Sequence, residues 1–200
     1  MVDHQKKYIH VPIPKTASQT IHAALDMGGV LLPEPALYHN TLEHFVSEEY
    51  PVNKNYFKFS IVRNPWDRLA SLWRDFNNRG NRYSFLHTLK RPLLSEFKSF
   101  EDLCLNLKNS LWSQNVFFKP QVHFVSYAGI IGTDYIGKFE NLYQSYRHIC
   151  EHINIAPLNK LPHINSTLKS NTYRDQYNEQ TAEAIYNFYK IDIETFNYKF

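Results

Sequence analysis

Twice in this chain a short apolar strand runs directly into a turn carrying a cation, and then into a helix. The first case is Tyr8-Ile9-His10-Val11-Pro12, leading to Lys15, Thr16, Ser18 and Thr20; the second is Phe57 to Val62, leading to Arg63, Asn64 and Pro65. Buried strands followed at once by helices restrict a chain to folds in which helices cover a sheet. Such a junction also aims backbone N–H groups and the positive end of the helix dipole at one point, which suits a phosphate. Two junctions, each with its own Lys or Arg, imply a ligand with two separated anionic groups.

The rest of the pattern agrees with alternating strands and helices. The spacing of Ile21, Ala24, Leu25 and Gly28 predicts a first helix stopped by Gly28-Gly29, after which residues 30–40 read as loop around Pro33 and Pro35. A helix around 41–50 ends before Pro51. Asn64 is a good N-cap, Pro65 suits the first helical position, and Leu69, Leu72, Trp73 and Phe76 repeat at i, i+3, i+4, i+7. Residues 77–98 read as a surface segment. Ser99 caps a helix over 100–109, residues 120–132 read as irregular or a short strand, and 135–139 is a third strand before a helix over 140–153. Residues 154–177 read as loop, and Asn178 caps a last amphipathic helix bearing Ala182, Ile185, Phe188 and Tyr189. The expected fold is α/β, a P-loop-like three-layer arrangement with a small, mainly parallel sheet flanked by helices. Neither a repeat nor a low-complexity linker breaks the 200 residues, so one domain over 1–200 is expected.

Composition narrows the function. The formal charge is only +3 and no Lys/Arg run exceeds Lys6-Lys7, which argues against nucleic acid as a partner. No apolar stretch approaches a membrane span and no signal-peptide core precedes Tyr8, so a cytoplasmic location is expected. Cys104 and Cys150 lie outside any CxxC pattern and read as buried thiols, with a disulfide left open. His148 and His152 are one turn apart near Cys150, yet no HExxH or Cys/His cluster accompanies them, and no metal is expected.

Lys15 with Thr16, Ser18 and Thr20 joins a point charge to three hydroxyls at a helix start; the plain alternative is a solvated loop lysine before an ordinary cap. No glycine lies between Val11 and Thr20, so this is not the GxxxxGK[ST] loop. Arg63 stands at a strand's carboxyl end, where open α/β sheets bind ligands, and Ser71 follows about two turns into the helix. A structural ion pair is the plain alternative for Arg63, and a surface pair for Arg68.

Pro14-Lys15-Thr16-Ala17-Ser18-Gln19-Thr20 resembles the 5′-phosphosulfate loop of sulfotransferases that use 3′-phosphoadenosine 5′-phosphosulfate. Val62-Arg63-Asn64-Pro65-Trp66-Asp67-Arg68-Leu69-Ala70-Ser71 is similar to their 3′-phosphate motif, and Ile136 to Leu142, Leu161 to Asn165 and the segment from Tyr189 to Phe200 also look like that family. The resemblance points to its carbohydrate-type branch. It implies that Lys15, Thr16, Ala17, Ser18, Gln19 and Thr20 hold the 5′-phosphosulfate, that Arg63 and Ser71 hold the 3′-phosphate, and that Lys169 lies over the nucleotide. It further implies a hydroxyl-bearing acceptor, most simply a carbohydrate, and His39 as the catalytic base. Glu43, one helical turn from His39, is the group to orient it, with Glu43 or His44 as alternative bases. The family's loop usually carries two glycines before Thr-Ser; here Ala17-Ser18 and Gln19-Thr20 stand there, and Ala17 and Ser18 present backbone N–H groups if φ is negative. Arg79, Arg82, Tyr83, Phe85 and Arg91 would suit a sugar already bearing negative charge. Two other readings stand beside this one: a non-catalytic binder of sulfated or phosphorylated ligands, and a nucleotide-dependent kinase, which lacks a glycine-rich loop here. Oligomeric state and acceptor identity are left open.

Overall fold

The computed structural model describes residues 1–25, 39–47, 54–78, 92–162 and 173–200. The chain divides into two compact units, Met1–Arg63 with Gln121–Thr167 and Asn64–Pro120 with Leu168–Phe200. It is mixed α/β, with a small, mainly parallel four-stranded sheet flanked by helices, as the alternation of strands and helices predicts.

The first unit holds the sheet, in the order β1 (Val2–Asp3), β2 (Tyr8–His10), β3 (Phe57–Val62), β6 (Tyr135–Lys138). β2 and β3 run parallel with His10 opposite Phe59, and β3 and β6 run parallel up to Val62 opposite Lys138. β1 adds an antiparallel edge; two residues carry too little pattern to announce it. Helices α1 (Ser18–Ala24) and α6 (Leu142–His152) cover the sheet, and Ile21, Phe59, Ile61, Tyr146 and Ile149 meet in one buried cluster. Each such side chain contributes about 1.5–3 kcal/mol by leaving water. Tyr146 Oη donates to the Ala24 carbonyl at 3.1 Å, tying α6 to the end of α1. The close approach is strictest at Gly137, where an added Cβ would stand 2.6 Å from Ser145 Cβ and 2.7 Å from Ile61 Cδ1.

Three expectations are corrected in this unit. Residues 121–125 form a helix, α5 (Gln121–Val125), rather than irregular chain or a strand. A hairpin follows, β4 (Ser126–Tyr127) and β5 (Ile130–Ile131), joined through Ala128 at φ +49° and Gly129 at φ +79°. Five residues rich in Val and Phe show no helical period, so tertiary packing overrides their local preference. Helix α2 (Leu42–Val46) is shorter than the predicted 41–50, of which residues 48–50 lie outside the described residues. Helix α1 ends at Ala24, a turn before the expected Gly28-Gly29 stop, which lies outside them too, as does the loop around Pro33 and Pro35.

The second unit is helical where it is described: α3 (Pro65–Asn78), α4 (Phe100–Asn106), α7 (Glu179–Phe188) and α8 (Lys190–Thr195). Asn64 Oδ1 accepts from the Trp66 N–H at 3.1 Å, so the predicted cap and the proline at the first helical position both hold. Ser99 caps α4 through the Asp102 N–H, and Asn178 opens α7 with a reciprocal capping box to Thr181. Trp66, Leu69, Phe76, Leu103, Phe118 and Ile185 belong to its core, where Trp66 Nε1 donates to the Ala182 carbonyl at 2.9 Å. Arg68 is not part of a surface pair. It is 2% exposed, and its Nη2 donates to the carbonyls of Phe117 and Lys119 at 3.0 and 2.9 Å. Cys104 and Cys150 are free, buried thiols, and burial raises the pKa of both. Most of the 77–98 segment, including Arg79, Arg82, Tyr83, Phe85 and Arg91, lies outside the described residues. Among those described, no helix is long and apolar enough to cross a membrane.

Candidate active site

The chain leaves β2 through a buried Val11-Pro12-Ile13-Pro14 stretch and turns at Lys15. Lys15 takes φ +69° and Ala17 φ +66°, with Thr16 between them. The negative φ expected of Ala17 is thus corrected: it adopts the left-handed conformation, and with helical Ser18 after it the loop still turns its N–H groups to one side. For an L-residue that conformation costs roughly 1–2 kcal/mol. The cost is offset locally, because the hydroxyls of Thr16 and Ser18 both donate to the Ile13 carbonyl, at 3.0 and 3.2 Å. Alternating left- and right-handed backbone gathers successive N–H groups on one side, a concavity that suits an anion. Helix α1 then starts at Ser18 with no side-chain cap and no acidic residue in its first turn, so nothing of its own neutralises the helix's positive end. Thr20 is buried in that turn, while Lys15 and Gln19 are half-buried.

Behind the loop, His10 at the end of β2 and His22 on α1 are hydrogen-bonded, Nδ1 to Nε2, at 2.7 Å. His10 stacks on Phe59 with ring centroids 4.9 Å apart. Its Nε2 is buried with no hydrogen-bond partner among the described residues. Burial, then the neighbouring His22, hold His10 well below the usual imidazole range, and burial brings His22 down to about 3. Both rings are therefore neutral at physiological pH, one donating its proton to the other.

His39 lies just before α2, and its Nδ1 is 3.1 Å from the Pro12 carbonyl. A carbonyl has no proton to give, so Nδ1 carries the hydrogen and the ring's lone pair falls on Nε2. That is the tautomer a general base needs. A backbone carbonyl therefore contacts the ring, and Glu43 is exposed on α2. His44 is exposed as well, and its backbone N–H bonds the Thr41 hydroxyl that caps α2.

Arg63, one residue past β3, is 9% exposed. Its guanidinium carbon sits 4.0 Å from the centre of the Phe139 ring, and Nη1 donates to the Lys15 carbonyl at 3.0 Å. The two cation-bearing segments therefore meet in the first unit, although 48 positions separate Arg63 from Lys15. Gln121, which the sequence did not mark, holds the Arg63 main chain from both sides. Its Oε1 accepts from the Arg63 N–H, and its Nε2 donates to the Arg63 carbonyl, each at 2.8 Å. Its only sequence signal is a polar amide heading a run of Val and Phe. Ser71 is buried on α3 in the second unit, and Lys169 lies outside the described residues. Among the described residues no group of three or more His, Cys, Asp or Glu side chains is placed to hold a metal ion.

A sulfotransferase family model matches residues 1–199. The chain belongs to the sulfotransferase family. That membership carries transferase chemistry, the movement of a sulfuryl group to an acceptor. No curated protein and no solved structure gives a match.

Proposed function

We propose that this sulfotransferase uses 3′-phosphoadenosine 5′-phosphosulfate as donor and sulfates a hydroxyl of a carbohydrate. The observation that carries the reading is the 3.0 Å bond from Arg63 to the Lys15 carbonyl, which brings two basic motifs of the family together. A donor with phosphate at both the 3′ and 5′ positions needs two such cations. The left-handed turns at Lys15 and Ala17 support the 5′ end, since they shape a backbone anion cradle without glycine. The carbohydrate acceptor follows from the resemblance to the carbohydrate-type branch. One family model spans both units, and we read them as a single sulfotransferase domain over 1–200.

When bound, the donor supplies a sulfuryl group on a phosphate that departs with its bonding electron pair. Lys15 then sets its ammonium against the charge that grows on that departing oxygen, and the loop's N–H groups face the 5′-phosphate. Thr16 and Ser18 shape the loop through Ile13, with Gln19 and Thr20 in the first turn behind them. Arg63 faces the 3′-phosphate, and the Lys15 carbonyl engages one of its five N–H donors. His39 takes the acceptor's hydroxyl proton at Nε2 as the new S–O bond forms, and the Pro12 carbonyl steadies the resulting imidazolium through Nδ1–H.

The test supplies sulfur-35-labelled donor with polysaccharides, lipid-linked sugars and small alcohols, using the Lys15→Ala variant as control. Label on a carbohydrate, dependent on Lys15, is the expected outcome. Tight binding of adenosine 3′,5′-bisphosphate with no acceptor labelled would instead favour a binding protein.

A further inference from the structure

Gln121 is fully buried, and burying an amide is costly unless its hydrogen bonds are made. Here both ends of the amide go to one residue, Arg63, in the manner of a neighbouring strand. The geometry explains why such a clamp is needed. The β3–β6 ladder ends at Val62 opposite Lys138, and the β2–β3 ladder ends at Phe59 opposite His10. Arg63 is therefore the first residue of the strand's extension with no partner in either ladder. The Gln121 side chain, 58 positions away, continues the ladder by one residue and so fixes the direction in which Arg63 departs. Phe139 then supports the guanidinium at 4.0 Å and the Lys15 carbonyl receives Nη1.

We propose that Gln121 is a positioning residue for the 3′-phosphate of the nucleotide. By holding the Arg63 main chain it orders the guanidinium before ligand arrives, so that binding does not have to immobilise a long side chain. This rests on the reading that Arg63 faces that phosphate. Its distinctive consequence is selectivity: loss of Gln121 weakens nucleotides that carry a 3′-phosphate and spares those that lack one. A purely structural residue would weaken both alike.

The experiment is calorimetric titration of the full chain with adenosine 3′,5′-bisphosphate and with adenosine 5′-phosphate, alongside thermal unfolding. Gln121→Met keeps the side chain's length and removes both hydrogen bonds; Gln121→Asn, which retains a buried amide but cannot span both groups, replaces it if the Met variant does not fold. Bisphosphate affinity should fall by up to about tenfold, the scale of immobilising one long side chain on binding. Affinity for the 5′-phosphate should change by less than about twofold, and in an Arg63→Ala background the Gln121 substitution should add less than about twofold. Equal losses for both nucleotides, the same loss with and without Arg63, or an unchanged bisphosphate affinity would each overturn the proposal. If the native chain does not bind the bisphosphate, or Arg63→Ala leaves that binding intact, the reading of Arg63 fails and takes the proposal with it. Native binding that depends on Arg63 but not on Gln121 removes the proposal alone.

Discussion

The two strand-to-helix junctions are built from different materials. After β2 the chain is shaped by its backbone: Lys15 and Ala17 turn left-handed, two hydroxyls bond Ile13, and α1 begins with no side-chain cap. The brace behind it is a pair of histidines, His10 and His22. After β3 the chain is shaped by amides. Gln121 holds Arg63, and Asn64 caps α3 while its Nδ2 donates to the Lys199 carbonyl at 2.9 Å. An imidazole pair titrates in a physiological range when unfolded, whereas an amide never does. The first junction should therefore be acid-sensitive and strained, and the second insensitive to pH and dependent on particular side chains.

Acid should produce the largest effect. His10 and His22 are held neutral in the folded chain, with pKa below the usual 6.5, and His22 is at about 3. The unfolded chain binds protons on both as pH falls through 6.5, and the folded chain does not. Their stabilisation is thus complete above that pH and is lost as pH drops toward the folded values, by up to about 1.4 kcal/mol per pH unit for each ring. Thermal unfolding followed by circular dichroism from pH 8 to 4.5 should show the midpoint falling below about pH 6.5. In His22→Gln that slope should be shallower. A midpoint flat down to pH 5 would show that the pair does not brace the first junction.

Lys15→Ala comes next. Turnover should fall by roughly 10²–10³, about 3–4 kcal/mol of transition-state stabilisation, read as the rate of label transfer from donor to acceptor. His39→Ala should lose about 10²–10⁴ in rate with bisphosphate binding intact. A rate unchanged in His39→Ala would move the base to Glu43 or His44.

The second junction responds through stability. Asn64→Ala removes the cap on α3 and should cost about 1–2 kcal/mol in a urea titration. The acid profile should keep its shape, since no titrating group is touched. A steeper profile in that variant would erase the distinction between the two junctions. The smallest effect belongs to Ala17→Gly, which relieves a left-handed alanine at the expense of a freer unfolded chain. It should be neutral to stabilising by about 1 kcal/mol. A destabilised Ala17→Gly would contradict the left-handed turn.

Local signals made much of this legible. Asn64-Pro65, Ser99 and Asn178 announced three helix starts because capping depends on residues within one turn. The strands at Tyr8–His10, Phe57–Val62 and Tyr135–Lys138 stood out as short apolar runs before turns. By contrast α5 was hidden by its Val and Phe content, and β1 by its brevity. Arg68 read as a surface residue because a charged side chain normally is one; two carbonyls, at Phe117 and Lys119, make its burial tolerable. The contact of His39 with the Pro12 carbonyl was not legible, because it comes from a different part of the chain.

By itself, the sequence determined the alternation of strands and helices, the caps and the family, since those depend on neighbours a few residues apart or on motifs kept in order. Tertiary structure alone decided the His39 tautomer, the neutral His10–His22 pair, the meeting of Arg63 with Lys15 and the Gln121 clamp. Each of these joins groups brought together by folding, where a hydrogen bond's partner and the local dielectric are set by whatever chain arrives from elsewhere.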